Sequence, residues 1–124
     1  MIVRLSGPVA APIFEIDDWE GKPVRLSKTS WKHIRKNHPE MEEALDAIRI
    51  TVNDPDIVNE SHVLGKAVGA VRRVLSRIGP HPRYRALYVR VPIEYGPHAN
   101  WVTTAYLDAL PPVGEVIYAR IPSR

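Results

Sequence analysis

The segment RYRALYVRVPIEY, residues 83–95, constrains this chain more than any other. Leu87, Val89, Val91 and Ile93 fall on one side of an extended backbone, with Tyr88 and Arg90 on the other. That period of two is the signature of a strand with one buried face. Turn sequences bracket it, Gly79-Pro80-His81-Pro82 before and Tyr95-Gly96-Pro97-His98 after. The chain then enters NWVTTAYL, where Val102, Thr104 and Tyr106 alternate with Trp101, Thr103 and Ala105. Pro111-Pro112 and Gly114 lead to a last strand in EVIYARI. Strands joined by such short turns pair antiparallel, so this half predicts a meander.

The first half reads differently. PIFEI (12–16) and Pro23–Leu26 are short extended pieces around the turn residues Asp17 to Lys22. Ser27, Thr29 and Ser30 are competent helix N-caps. Beyond them the apolar positions Trp31, Ile34, Met41, Leu45, Ile48 and Val52 follow a 3-and-4 spacing, with His38 in the slot between Ile34 and Met41. Pro39 cannot continue a helix and disfavours helical geometry at His38. Two helices are expected, one ending near Asn37 and a second starting at Pro39, with Glu40, Glu42 and Glu43 in its electropositive first turn. Asn53-Asp54-Pro55 ends the second helix, and DIVNES (56–61) is a short extended segment. The run KAVGAVRRVLSRI (66–78) fits both a helix, through residues 67, 68, 71, 74, 75 and 78, and a strand, through Val71, Arg73, Leu75 and Arg77. The layout is α+β, two early helices packed on one face of an antiparallel sheet.

At 124 residues the chain supplies one domain with one buried core. Ordinary hydrophobic content, 44%, and the absence of any repeat or low-complexity tract argue against disorder. With no cysteine, disulfides and thiolate zinc sites are ruled out. Proline and charge interrupt MIVRLSGPVAAPIFEI before a signal peptide or membrane span could form, so a soluble, cytoplasmic protein with no membrane partner is expected. Charge is uneven. Residues 1–60 carry eight Lys and Arg against eleven Asp and Glu, and residues 61–124 carry nine against three. A basic C-terminal half suits a polyanionic partner such as RNA, although an unevenly divided solvated surface has the same signature.

TSWKHIRKNHPEM (29–41) concentrates histidine and basic residues before the proline. A helical zinc pair separates its histidines by four residues. His33 and His38 are five apart, about 140° around a helix, and no acidic third ligand stands close by, so neither a metal nor any other cofactor is expected. Metal-free RNA cleavage suits them better. It needs a base for the 2′-hydroxyl, an acid for the departing 5′-oxygen and cations around the phosphate. Histidine titrates near neutrality and arginine offers planar, bidentate donors. His38 occupies the core-facing stripe at a helix end, and His33 lies beside Lys32 and Lys36. The plainer alternative makes His38 a hydrogen-bonded boundary residue and His33 ordinary surface.

Arg72, Arg73, Arg77, Arg83, Arg85 and Arg90 fall on neighbouring segments. If 70–78 is a strand beside 83–93, they form a phosphate-binding trough, with Tyr84, Tyr88 and Tyr106 available to stack on bases. For any single arginine, solubilising an exposed sheet face is the simpler role. Thr103 and Thr104 suit a strand by propensity alone, and one hydroxyl could donate to a phosphate oxygen or to a histidine.

Three pieces stand in one order: W-x-H-I-x-x-x-H-P-E (31–40), a helix closing in N-D-P-D-I-V (53–58), and W-V-T-T-A-Y-L (101–107) with a trailing G-E-V-I-Y (114–118). This order resembles the phage-type branch of the barnase–EndoU–colicin–RelE nuclease superfamily, over roughly residues 24 to 118, most of the single domain. The resemblance implies N-terminal helices on a twisted antiparallel sheet of about four strands. It also implies a metal-independent RNA endonuclease that makes a 2′,3′-cyclic phosphate, often a toxin opposed by an antitoxin or immunity protein. Residue by residue it points to His33, His38, Thr103 and Tyr106 as catalytic, with Arg73 favoured among the arginines. Lys32, Lys36, Arg72, Arg77, Arg85, Tyr88 and Thr104 would bind substrate. It favours the strand reading of 70–78. Two other classes fit the same scaffold: a non-catalytic RNA- or protein-binding module and a phage-related structural domain.

Overall fold

The computed structural model describes residues 11–64, 69–110 and 112–120. The N-terminal reading up to residue 10, residues 66–68 of the ambiguous run and Pro111 lie outside them.

Two short strands, β1 (Phe14–Asp17) and β2 (Pro23–Leu26), form a hairpin with Phe14 opposite Leu26. Asp18 sets the turn. Its Oδ1 accepts hydrogen bonds from the amides of Glu20 and Lys22 at 2.8 and 2.9 Å, and Gly21 takes the positive φ of 82° that the turn requires. Its Oδ2 accepts the Tyr95 hydroxyl at 2.7 Å, tying the hairpin to the end of a central strand 77 residues away. Asp18 is only 3% exposed, and burial together with this carboxylate pushes the Tyr95 phenol well above its ordinary range.

Ser27 then caps α1 (Lys28–Asn37), its Oγ accepting from the Ser30 amide at 3.0 Å. Trp31 and Ile34 turn inward. The helix stops at His38, whose φ and ψ of −132° and 72° lie outside the helical region that a following proline disfavours. The expected second helix does not begin at Pro39. Pro39–Met41 form one 3₁₀ turn, and α2 spans Leu45–Asn53. The reason is visible at Glu40. In an α-helix its carbonyl would accept from Ala44, but here it lies 2.7 Å from His81 Nε2, while the Ala44 amide donates to Met41. His81, 1% exposed, also accepts the Arg83 amide at Nδ1, 3.0 Å away. The ring therefore donates at Nε2 and fastens the 3₁₀ turn to the loop before the central strand.

The sheet corrects the expectation of about four strands beneath leading helices. Among the described residues it has eight strands, ordered β1-β2-β6-β5-β4-β3-β8, with β7 also on β5. The chain is α+β, but two strands precede the helices, and β2 meets β6 in parallel at Arg25 and Trp101, so the sheet is mixed. β3 (Ile57–Leu64) and β4 (Val71–Ile78) pair antiparallel, which settles residues 71–78 as a strand. β5 (Tyr88–Tyr95) is central, with β4 on one side and β6 (Asn100–Val102) and β7 (Tyr106–Asp108) on the other. β8 (Glu115–Ala119) adds to β3 at the edge. The figure of four came from the resemblance. The four-residue β1 and β2, read from sequence as short extended pieces, occupy the free edge of β6 and complete the sheet.

The core lies between the helices and one sheet face. Val58, Leu75, Val89, Val91, Ile93 and Val102 meet Trp31, Ile34, Met41, Ile48 and Val52. Leu75→Ala is therefore expected to cost about 2–5 kcal/mol, measured by urea denaturation. At the end of α2, Asp54 accepts from Arg77 at 2.8 Å and pairs with Arg120. The Arg120 bond, opposed in part by burial and aided by Arg77, holds the Asp54 carboxyl below its ordinary value of 3.8. A carboxyl lowered by folding stabilises the fold above its unfolded pKa, and that contribution is lost as pH falls through the folded one. Asp54→Asn should thus be less stable than the parent at pH 7. Its deficit should shrink below about pH 4 in paired thermal melts.

Candidate functional site at the edge of β7

Val102 pairs with Ile93, whereas Tyr106 pairs with Arg90. Between these pairs β6 and β7 use one residue more than β5 does, so Thr103 and Thr104 form a one-residue bulge. It faces Pro92, whose carbonyl accepts both the Thr103 amide at 2.9 Å and its hydroxyl at 3.2 Å. A bulge reverses the alternation beyond it. Strict alternation from Val102 would send Tyr106 into the core. Instead Ala105 is buried, Leu107 packs on the core, and Tyr106 stands on the opposite face beside Arg90. This corrects the grouping of Val102, Thr104 and Tyr106 on one side of a strand.

The 3₁₀ turn runs along β7. It brings the half-exposed His38 ring to 5.6 Å from the Tyr106 ring, tilted by 33°. His38 Nδ1 is 4.0 Å from Glu40 Oε2. Thr103 is exposed and Thr104 half-buried at the bulge between Val102 and Tyr106. His33 lies farther up α1 on its exposed side, with the Asn37 amide 2.9 Å from Nε2. Lys32 and Lys36 are exposed on the same helix and make no ion pair among the described residues, as is also true of Arg85.

The arginines divide between the two sheet faces. Arg73 pairs with Ile93 and Arg77 with Val89, which puts both on the helix side. Arg73 lies over Trp19 and Tyr95, 5.9 and 5.0 Å from the ring centres, and bridges Glu20 at 3.2 Å and Glu60 at 3.6 Å. Arg77 donates to the Asp54 carbonyl at 2.6 Å and to its carboxylate. Neither is brought to Tyr106. Arg72 and Arg90 occupy the other face, where Tyr88 and Tyr106 also stand. Arg72 Nε is 3.9 Å from Glu94. Arg90 bridges Asp108 at 3.1 Å and donates to the Leu110 carbonyl at 2.6 Å.

The structure thus joins His38, Tyr106 and, through the strand register, Arg90 and Asp108. Asp108 stands outside the residues singled out from sequence, and Arg90 enters there only as one of six arginines of the trough. Arg90 was legible as an outward position between Val89 and Val91. Its partner was hidden by the bulge, for which Pro92 inside a strand was the available signal. Among the described residues no group of three or more His, Cys, Asp or Glu side chains is placed to hold a metal ion, and no helix is long and apolar enough to cross a membrane. Comparison with protein families, curated proteins and solved structures returned no match.

Shortening the bulge tests its role directly. Deleting Thr103 should restore strict alternation through Val102, Thr104, Ala105 and Tyr106, leave Tyr106 outward opposite Arg90, and keep nuclear Overhauser contacts between the Tyr106 and His38 rings. A folded deletion variant that loses those contacts would contradict this account.

Proposed function

We propose that this chain is a metal-independent endoribonuclease that works from the His38–Tyr106 edge, and that its motif order reflects kinship with the phage-type nucleases. The observation that carries the proposal is the packing of His38, at a helix end, against an outward tyrosine of the sheet. Beside it α1 offers two exposed lysines without ion-pair partners among the described residues. An RNA strand drawn to Lys32 and Lys36 would set a base against Tyr106 and its phosphodiester near the imidazole.

In this reading His38 takes the proton of the 2′-hydroxyl as that oxygen attacks phosphorus. The bond to the 5′-oxygen breaks, and that oxygen takes a proton from His33, about 7.5 Å away along the helix axis. The products are a 2′,3′-cyclic phosphate and a 5′-hydroxyl. Thr104, close in sequence to Tyr106, offers a hydroxyl donor to the phosphate, whereas the Thr103 hydroxyl is held by the Pro92 carbonyl. Such an enzyme, working in the cytoplasm, would call for an antitoxin or immunity protein.

His38→Ala should keep the fold, by circular dichroism and thermal melting, and slow RNA cleavage in EDTA by about 10²–10⁴-fold. Unchanged cleavage would remove the chemistry from this helix. Activity abolished by the chelator would point to a metal hydrolase.

One observation favours a second reading, a non-catalytic RNA-binding module. Arg72, Arg73, Arg77 and Arg90 all stand beside carboxylates of the fold. Salt-sensitive RNA binding without cleavage, at excess protein, would select it.

A further inference from the structure

On the face of the sheet turned away from the helices, Arg90 is 12% exposed and its guanidinium is only partly satisfied. Nη1 meets Asp108 and Nη2 donates to the Leu110 carbonyl, but Nε is buried without a partner. Directly across the β4–β5 pair stands Ser76. It is 0% exposed, and its Oγ has no hydrogen-bond partner either. Cross-strand neighbours hold their Cβ atoms about 5 Å apart, so two unspent donors sit side by side. Buried donors left unmade cost free energy, and structures keep them rarely. What complements the pair is an acceptor with more than one oxygen. Asn59, diagonal to Ser76 on β3, keeps its Oδ1 buried and unpartnered, while its amide donates to Gly114. That oxygen suits a hydroxyl.

We propose that Arg90 and the Ser76 hydroxyl form the phosphodiester-binding subsite beside Tyr106, with Asp108 as a built-in competitor that the incoming phosphate displaces. Phosphate oxygens there would take Arg90 in the bidentate manner that now serves Asp108 and Leu110, and a sugar hydroxyl would meet Asn59. Asp108 is placed for exchange. Its side chain is 32% exposed where that of Arg90 is 12%. Asp108 and Leu110 lie two residues apart, so one displacement frees both outer nitrogens. Tyr106, across from Arg90, presents the stacking ring at the same step. The subsite takes single-stranded nucleic acid as its ligand class. It rests on the ribonuclease reading only for the choice of RNA over other phosphodiesters.

The test is binding of a fluorescent 2′-O-methyl RNA octamer, which cannot be cleaved by 2′-hydroxyl attack, to the full chain at low salt. Asp108→Asn should tighten binding about tenfold, and Arg90→Gln should weaken it about tenfold or more. Ser76→Ala should weaken it severalfold without lowering the melting temperature, since the hydroxyl it removes has no partner to lose. Glu42→Gln, an equal change of charge on an exposed residue, controls for net charge and should tighten binding no more than about twofold. Where Arg90→Gln fails to fold, the Asp108, Ser76 and Glu42 variants decide. The proposal is overturned if Asp108→Asn binds no tighter than Glu42→Gln, or if a folded Arg90→Gln binds as well as the parent. A parent that binds the octamer but leaves RNA uncleaved would sink the ribonuclease reading and leave the subsite standing.

Discussion

One inserted residue governs the outer face of this protein. Opposite Pro92, a strand would normally continue its alternation and bury Tyr106 with Val102. The bulge at Thr103-Thr104 spends an extra residue there, and the Pro92 carbonyl fixes it by accepting both the amide and the hydroxyl of Thr103. From that point each side chain exchanges faces. Ala105 and Leu107 go to the core, and Tyr106 and Asp108 come out beside Arg90. The contact between Tyr106 and His38, the approach of Asp108 to Arg90 and the position of the 3₁₀ turn along β7 all follow from this shift.

A second constraint acts from the opposite side of the helix end. His81 holds the Glu40 carbonyl, which keeps Pro39–Met41 from being absorbed into α2 and leaves His38 at a sharp corner. A single continuous helix would carry His38 away with its turn. The imidazole is therefore placed by a proline that ends α1 and by a buried histidine that prevents α2 from starting early. Both devices are local. Together they position one ring against the edge of a sheet formed much later in the chain.

Much of this was legible in the sequence where period and propensity agreed. The alternation of Val89, Val91 and Ile93, the helical stripe of Trp31 and Ile34, the cap at Ser27 and the break at Pro39 all reappear, because each is decided by neighbours within a few residues. Three features were not legible. The direction of Tyr106 depends on a bulge, and a bulge leaves no trace in a strict period of two beyond the proline opposite it. The start of α2 depends on His81, some forty residues away. The breadth of the sheet depends on β1 and β2, whose four residues apiece carry too little pattern to be counted. The arginines show the same limit: sequence placed them on neighbouring segments, but only the register sends Arg73 and Arg77 to the helix side and Arg72 and Arg90 to the other.

The central claim is chemical, that an imidazole at the His38 corner drives attack by a ribose hydroxyl. The most direct measurement is the nature of the 3′ ends left on RNA incubated with excess protein in EDTA. The account predicts 2′,3′-cyclic phosphates paired with 5′-hydroxyls. RNA left intact, or cut to 3′-hydroxyl ends, would contradict it.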